Sequence, residues 1–305
     1  MKNIITIKPL GGSMKKATTA AAILLFLVSS GFSQQSSITV SGGIGYATGG
    51  DLNKTIKGVS DYRLDIDEAS GELKPVNLGM NFNIEFMYHF NSNFGLGLGV
   101  GYFRGSKASG PSSYNIGIPD YLMLASDYSI TPTISAIPIT LNLHYFLPVG
   151  SKLNFDLYAG GGYYVTMLDF RSTEFASLTI LDSPLSVTED FTFNATKGGL
   201  GVQAGIGFEF EVAPKVAIVF NAFGRYASAS GFKGKYTFKD RGDLTADESG
   251  SDYTFWSYDE KIDSKLYTQY DFYNEKTSGS DISNVKEATI DLTGFGATLG
   301  IRFKF

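Results

Sequence analysis

Two histidines are the residues of this chain best suited to catalysis. His89 and His144 are the only histidines among 305 residues, and the chain has no cysteine. Histidine beside a serine or a carboxylate is a common general base, so these two positions are the candidate catalytic residues. There is no histidine cluster and no spacing typical of metal ligands, and we therefore predict neither a metal nor a cofactor.

Two acidic segments could bind calcium through their carboxylates. Their acidic residues are Asp65, Asp67 and Glu68 in one segment, and Asp240, Asp243, Asp247 and Glu248 in the other. Calcium loops place their ligands in a fixed order along the chain, and neither segment has that order. We therefore predict solvated acidic loops at both places.

Glycine occupies every second position from Gly95 to Gly101. A nucleotide-binding loop needs its glycines at a turn between a strand and a helix, whereas these alternate with leucine and valine. This period of two predicts one strand with its glycines on a single face.

Apolar and polar residues alternate in the same way in eight runs along the chain. The clearest example is the second run, where Val76 and Phe90 bound the apolar face and Glu85 and His89 lie on the polar face. The runs cover about 37–47, 76–90, 94–103, 129–147, 152–167, 200–211, 215–227 and 289–305. After residue 33 no stretch of about 20 apolar residues occurs, so a membrane protein with this sequence must be a closed β-barrel.

The last eight residues, 298–305, indicate that the barrel lies in a membrane. They alternate without interruption and end on an aromatic residue, whereas the terminus of a soluble domain usually frays. The spacing of Thr298, Gly300, Phe303 and Phe305 resembles the C-terminal signal by which outer-membrane barrels are recognised for assembly. A soluble β-sandwich or lipocalin-like barrel is the alternative, but its apolar face would have to point inward. In this sequence the face with small and polar residues is the one that fits the narrow interior, so the apolar face points outward.

Residues 1–33 are predicted to be a signal peptide. A basic start at Met14-Lys-Lys precedes an apolar core from Ala20 to Val28 that is too short to span a membrane; residues 1–13 are an upstream start or a longer basic region. Cleavage near Ser33 would remove four lysines and no acid, and the net charge would move from −5 to −9. An acidic mature domain, 34–305, argues against nucleic acid as a partner.

The connectors between the runs predict the orientation of the barrel. Those at 91–93, 148–151 and 213–214 are short, and those at 48–75, 104–128, 168–196 and 228–287 are long. Outer-membrane barrels have short periplasmic turns and long extracellular loops. Both histidines then lie near the periplasmic end, away from the outer leaflet where lipid-modifying enzymes work, so we expect no enzyme. Pro138 lies inside a run and predicts a bulge.

Charged residues on the inward faces form a predicted cluster in the periplasmic half of the lumen. Its members are Glu85, Asp156, Glu209, Glu211, Arg302 and Lys304. Charges in a low-dielectric lumen must pair or stay hydrated. The cluster is either an ionic plug that opens or the polar lining of a static core, and the static lining is the favoured interpretation.

The chain resembles the small eight-stranded outer-membrane barrels of the OmpA, OmpX and OmpW type, especially the glycine- and tyrosine-rich versions of Bacteroidota. The resemblance is carried by the segment Ile137-Pro-Ile-Thr-Leu141, the repeated Gly-x-Gly strands and the end Arg302-Phe-Lys-Phe305. It implies an all-β, eight-stranded antiparallel up-and-down transmembrane barrel in the outer membrane of a Gram-negative bacterium. Outer-membrane lipids and the barrel-assembly machinery are its implied partners.

The connector 228–287 is too long for a hairpin and too aromatic for a disordered segment. We expect it to be ordered, with strands at Tyr236-Thr-Phe238 and Tyr253-Thr-Phe255 and with Trp256 near a turn. Tryptophan and tyrosine often anchor interfaces. The candidate partner-binding residues are Tyr253, Phe255, Trp256 and Tyr258.

These features predict a structural or surface-binding protein whose activity lies in its extracellular loops. A small pore or carrier for small solutes is the alternative, because the glycine-rich lumen leaves room for water or an inserted loop. A subunit of a secretion or assembly complex is a second alternative that the sequence does not separate from the first.

Overall fold

The computed structural model describes residues 36–66, 68–118, 122–180, 183–242 and 247–305. The predicted signal peptide lies outside these residues. The elements in chain order are β1 (Ser36–Ala47), α1 (Asp51–Leu64), β2 (Leu78–His89), β3 (Phe94–Ser106), β4 (Ser109–Ile118), β5 (Leu122–Ile130), β6 (Thr133–Pro148), β7 (Leu153–Ile180), β8 (Ser183–Ala213), β9 (Val216–Ser230), β10 (Lys233–Gly242), β11 (Asp247–Ile262), β12 (Lys265–Tyr273), β13 (Ile282–Glu287), β14 (Thr289–Asp291) and β15 (Gly294–Lys304).

Eight of these strands form a closed antiparallel ring, in the order β1, β2, β3, β6, β7, β8, β9 and β15. The ring closes where β15 pairs with β1, with Lys304 opposite Ser37 and Gly294 opposite Ala47. Closure satisfies the backbone hydrogen bonds of every wall strand without leaving an edge. The eight-stranded barrel predicted from the sequence is confirmed.

The two faces of the wall follow the predicted alternation. Outward apolar side chains such as Leu78, Phe82 and Leu200 are more than half exposed, whereas Thr39 and Glu85 on the inward face are buried. This is the pattern of a wall that faces lipid outside and a filled lumen inside. Within the described residues, no helix is long and apolar enough to cross a membrane.

Two local predictions about the wall are wrong. Val76 does not face outward: it precedes β2, is buried, and donates its backbone N–H to Asn53 Oδ1 of α1 at 2.9 Å. No bulge occurs at Pro138, because β3 and β6 keep one register on both sides of it, with Val100 opposite Ile139 and Phe103 opposite Ala136. The missing proline N–H interrupts the ladder locally without shifting it.

Three of the four predicted long loops are largely β-structure. β7 and β8 pair without a break from Leu153 and Phe210 to Ile180 and Ser183, and 28 residues of strand extend roughly 90 Å, far beyond an apolar band of ~25 Å. The hairpin of β4 and β5 adds to β7, and β10 with β11, β12 and β13 adds to β8. We call this part of the molecule the extended end, and the opposite end, with the three short turns, the turn end.

The remaining long loop contains α1, which the sequence analysis did not predict. Leu52, Ile56 and Ser60 recur every fourth residue and are all buried, so the helix presents one face to the interior. Gly58 lets α1 approach β12 closely, because a Cβ at this position would lie 1.9 Å from the carbonyl oxygen of Thr268.

Candidate functional site: a barrel closed at both ends

A network of buried charges centred on Arg302 fills the turn end of the lumen. Arg302 Nη1 lies 2.5 Å from Glu209 Oε2, and Nη2 lies 3.7 Å from Asp156 Oδ2. The Arg302 Nε donates to the hydroxyl of Thr39 at 2.8 Å. Only 1% of Arg302 is exposed, so this guanidinium depends on its partners rather than on solvent.

Lys304 continues the network toward the rim of the barrel. Its Nζ lies 2.5 Å from Glu209 Oε1 and 3.7 Å from Glu211 Oε2. The side chain of Glu211 is 41% exposed, so this residue marks where the network meets solvent. The solvent-exposed pair between Lys304 and Glu211 contributes little to stability.

His144 links the network to Glu85, and this role was missed by the sequence analysis. The ring Nδ1 lies 3.0 Å from Asp156 Oδ1, and Nε2 lies 3.3 Å from Glu85 Oε1. An ionised carboxylate only accepts hydrogen bonds, so this arrangement suits a ring that carries a proton on both nitrogens. With that proton, three cationic groups match the three buried carboxylates Glu85, Asp156 and Glu209.

The glycines of β3 make the space that these side chains occupy. A Cβ on Gly97 would lie 2.6 Å from Glu85 Oε1 and 3.1 Å from His144 Nε2. Asn142 completes the shell by donating to Glu85 Oε1 at 2.7 Å. The Gly-x-Gly pattern of this strand therefore makes room for the ionic network.

A polar cavity of about 70 Å³ lies in the middle of the lumen. Its lining includes Ser41, Asn81, Thr140, Asn221 and Arg225 together with the inner side of the ionic network. A cavity of this size and polarity suits a few buried water molecules.

An apolar core closes the extended end. Leu52 and Ile56 of α1 are fully buried and belong to one cluster with aromatic side chains from the wall and the extension. The buried aromatic members are Phe103, Tyr164, Phe170, Phe193, Phe232, Tyr236, Phe255 and Phe272. Helix α1 is thus packed as a plug, and burial of Leu52 and Ile56 contributes about 2 kcal/mol each.

Polar contacts hold both ends of α1 against the surrounding strands. At its start, Asp51 accepts from Lys286 Nζ at 2.8 Å and from the Thr289 backbone N–H at 2.9 Å. Beyond its end, Asp65 accepts from Lys265 Nζ at 2.9 Å and from the Tyr267 hydroxyl. The hydrogen bond from Tyr267, and then that from Lys265, lowers the pKa of Asp65.

Arg63 ties the last turn of α1 to the β4–β5 hairpin and to β7. Its Nη2 donates to the Ser112 carbonyl oxygen at 2.9 Å and to the Ser126 hydroxyl at 2.8 Å. Its Nη1 lies 3.3 Å from Glu174 Oε1. The plug is therefore anchored by backbone, hydroxyl and carboxylate acceptors on three strands.

A sequence model of the outer membrane protein beta-barrel domain matches residues 18–233. The chain belongs to this family. The predicted class, an outer-membrane β-barrel protein, is therefore confirmed. Membership of this family places the barrel in the outer membrane. No curated protein matches the chain in sequence.

Three solved outer-membrane proteins resemble this barrel over most of their length. A major outer membrane protein from Thermus thermophilus is 14% identical, with 88% of this chain and 99% of that chain covered and a TM-score of 0.38. Neisserial surface protein A is 14% identical, with 90% and 98% covered and a TM-score of 0.30. OprG from Pseudomonas aeruginosa is 15% identical, with 89% and 97% covered and a TM-score of 0.32.

The residues predicted to form the assembly signal of this barrel lie on β15 and just after it. Phe303 and Phe305 point outward and are about half exposed, whereas Thr298 faces the lumen. The backbone N–H of Phe305 donates to the carbonyl oxygen of Ser36 at 2.9 Å, so the last residue is tied to β1. Gly300 packs against the Val40 carbonyl, where a Cβ would lie 2.4 Å away.

The four predicted partner-binding aromatics have different environments in this barrel. Phe255 is fully buried in the apolar core, and it is therefore not available to a partner. Trp256 lies within β11 opposite Asp271 and Glu287, not near a turn as predicted. The Trp256 indole donates to the Tyr273 carbonyl at 3.1 Å. Tyr253 and Tyr258 are half-buried.

Among the described residues, the candidate catalytic and calcium-binding side chains are not brought together in one site. His89 Nε2 lies 3.2 Å from the Ser37 hydroxyl, and His144 belongs to the ionic network. Asp67 and Asp243 lie outside the described residues. Among the residues that are described, no three acidic or histidine side chains are grouped as metal ligands would be.

Proposed function

We propose that this outer-membrane barrel is a non-conducting surface protein whose extended end binds a ligand or partner. The observation that carries the proposal is the closure of the lumen at both ends. The Arg302 network fills the turn end, and α1 with its aromatic core fills the extended end.

The alternative, a small pore, requires a continuous path of water through the barrel. An eight-stranded barrel is just wide enough to be filled by side chains, and the central cavity of about 70 Å³ lies between the two closures. Opening a path would require breaking a buried ionic network and expelling a packed helix, and each step costs several kcal/mol.

An enzymatic role has little support in the chemistry of the lumen. His144 has a carboxylate beside each ring nitrogen, so neither nitrogen is free to accept a substrate proton. His89 has a serine hydroxyl within hydrogen-bond distance, but it lies beside the turn end, far from the outer leaflet in the predicted orientation. We therefore propose a non-enzymatic protein.

Conductance across planar bilayers tests whether the lumen is closed. The wild-type barrel should show little or no conductance. Combining Arg302→Ala with replacement of residues 51–64 by a Gly-Ser linker of the same length should raise it, because both closures are then removed. Lys54→Ala is the matched control, because its side chain is 70% exposed on the same helix. A large and stable conductance of the wild type would show that the lumen is an open channel.

Purification from native membranes in mild detergent tests the binding role. Point substitutions are needed here, because a large deletion within the connector 228–287 would remove the buried side chains of Phe255 and Phe272 and open the core. Trp256→Ala with Tyr258→Ala should instead abolish recovery of a protein partner while the barrel stays heat-modifiable. Recovery of the same partner with the double variant would exclude these two residues from the contact.

A further inference from the structure

A cavity of about 200 Å³ opens at the extended end, between β12 and the wall formed by β5, β7, β8 and β10. Five aromatic rings line it: Tyr128, Phe191, Phe238, Tyr270 and Phe272. This cavity, which we call the mouth cavity, is separate from the ionic network and from the polar cavity of the lumen.

The register of the strands gathers these rings. Phe191 of β8 lies directly opposite Phe238 of β10, and the Phe272 ring of β12 packs 5.0 Å from the ring of Phe191. The hydroxyls of Tyr128 and Tyr270 share a hydrogen bond across the cavity wall. Of the five rings, all except Phe272 are only half-buried. The Arg63 guanidinium already lies over the Tyr128 ring, 5.0 Å from its centroid, so the partly exposed rings left for a ligand are Phe191, Phe238 and Tyr270.

The same face of the wall carries a row of carboxylates beside the rings. Glu189 lies directly opposite Glu174 on β7 and directly opposite Asp240 on β10. Like charges placed directly opposite one another destabilise a sheet. The row therefore costs stability unless a cation offsets it.

Only part of this negative charge is compensated within the chain. Arg63 pairs with Glu174 at 3.3 Å, whereas Glu189 has no hydrogen bond or ion pair in the part of the chain that the structure describes. Asp240 Oδ1 is buried and has no hydrogen-bond partner among the described residues. Burial, and then the carboxylates of Asp240 and Glu174, raises the pKa of Glu189.

We propose that the mouth cavity binds a small organic cation through its alkylammonium group, with the aromatic rings against the carbon atoms and Glu189 beside the charge. Aromatic rings attract a cation through the negative charge on their faces, and the attraction is stronger when the contact is desolvated. An apolar ligand would leave the carboxylates unpaired, and an inorganic cation would find few oxygen ligands among the rings. This inference rests on the proposed surface-binding function and names the class of ligand.

Isothermal titration of the full chain with choline tests the proposal. The micelle should be a maltoside, because detergents with choline or amine-oxide head groups would compete for the cavity. Choline should bind at least tenfold more tightly than 3,3-dimethyl-1-butanol, its uncharged isostere. Ethanolamine as a second probe distinguishes a site for quaternary ammonium from one that also accepts a primary amine; preferential binding of either cation supports the proposal.

Two substitutions separate binding from folding. Glu189→Gln should weaken choline binding at least tenfold without lowering Tm, because it removes a like-charge contact. Asp190→Asn is the matched control: its carboxylate pairs with Arg241 instead, and binding should not change. Phe238→Leu should weaken binding while preserving apolar burial.

Equal affinity for choline and its uncharged isostere, failure of both cations to bind, or unchanged binding by Glu189→Gln would overturn the proposal. Bilayer conductance is measured on the same preparation, so the two conclusions are separable. If the barrel does not conduct and binds neither cation, only the cation-binding proposal is refuted. If the barrel is an open channel, the proposed function itself is refuted.

Discussion

At the scale of single residues, Arg302 has the largest expected effect on stability. Arg302→Ala removes the buried cation shared by Glu209 and Asp156, which leaves Glu209 with Lys304 alone and Asp156 with His144 alone. Breaking one partner of a buried pair costs about 3–5 kcal/mol. The unfolding midpoint of the variant in urea should fall accordingly, with unfolding followed by the gel shift between folded and unfolded barrel.

Lys304→Ala is the control for Arg302. Its side chain is 30% exposed, so water replaces part of the lost interaction and the destabilisation should be smaller. Adding Glu209→Gln to Arg302→Ala should restore part of the stability, because it removes the charge of one carboxylate that has lost Arg302. Equal loss in Arg302→Ala and Lys304→Ala would mean that the network is hydrated throughout.

The contact between Asp65 and Tyr267 makes the anchoring of α1 depend on pH. The pKa of Asp65 is lowered, so its contribution is present above the usual value of 3.8 and is lost as pH falls through the lowered pKa. The hydrogen bond to Asp65 raises the pKa of Tyr267 to about 12, so on the alkaline side the contact is lost only as pH rises through that value.

We therefore expect the segment after α1 to become accessible to protease as pH falls below 3.8 and through the lowered pKa of Asp65, while the barrel itself remains folded. Limited proteolysis with pepsin, followed by mass spectrometry, measures this. Asp65→Asn should remove the pH dependence, because an amide does not titrate in this range. Cleavage that increases equally in the variant would assign the acid sensitivity to other groups.

At the scale of elements, the sequence predicted the strands of the barrel well and the remaining elements less well. The wall strands alternate strictly, because one face meets lipid and the other a packed lumen. The extension has the same period in places, but Phe170, Phe193 and Phe255 are buried in the core that also contains Leu52 and Ile56 of α1. Its aromatic residues therefore point to an interior that only the tertiary structure creates. The sequence alone does not reveal this interior, and Phe255 is therefore wrongly predicted to contact a partner.

The candidate site was predictable to the extent that it depends on the faces of the wall strands. The alternation along the strands predicts the inward-facing residues Glu85, Asp156, Glu209 and Arg302. The structure brings these four side chains together. His144 lies on the same inward face. Its position on the face that carries the charge cluster indicates an ion-pairing role rather than a catalytic one. The carboxylate row of the mouth cavity was not predictable, because it depends on the register of three strands.

The fit of α1 depends on Gly58. Alanine normally favours a helix over glycine by about 1 kcal/mol, but here the added methyl group would overlap the Thr268 carbonyl. Gly58→Ala should therefore loosen the plug and lower Tm. Lys57→Ala, at an exposed position of the same turn, is the control and should have little effect. A rise in Tm for Gly58→Ala would show that α1 and β12 are less closely packed than described.

At the scale of the whole molecule, the two ends of the barrel are built for different tasks. The turn end is short, and its buried charges are balanced by one another. The extended end is tall and aromatic, and it retains uncompensated carboxylates around an open cavity. This asymmetry is the structural reason for proposing that recognition occurs at the extended end.

Recognition from outside the cell requires the extended end to be extracellular, and cysteine labelling tests that orientation. The chain has no cysteine, so single cysteines can be introduced without a background. On intact cells a membrane-impermeant maleimide should label Ser251→Cys and Ser278→Cys at the extended end, but not Ser92→Cys or Ser151→Cys at the turns. All four positions are exposed, so permeabilised cells should show labelling of each variant. Labelling of only the two turn positions on intact cells would reverse the orientation and place the mouth cavity in the periplasm.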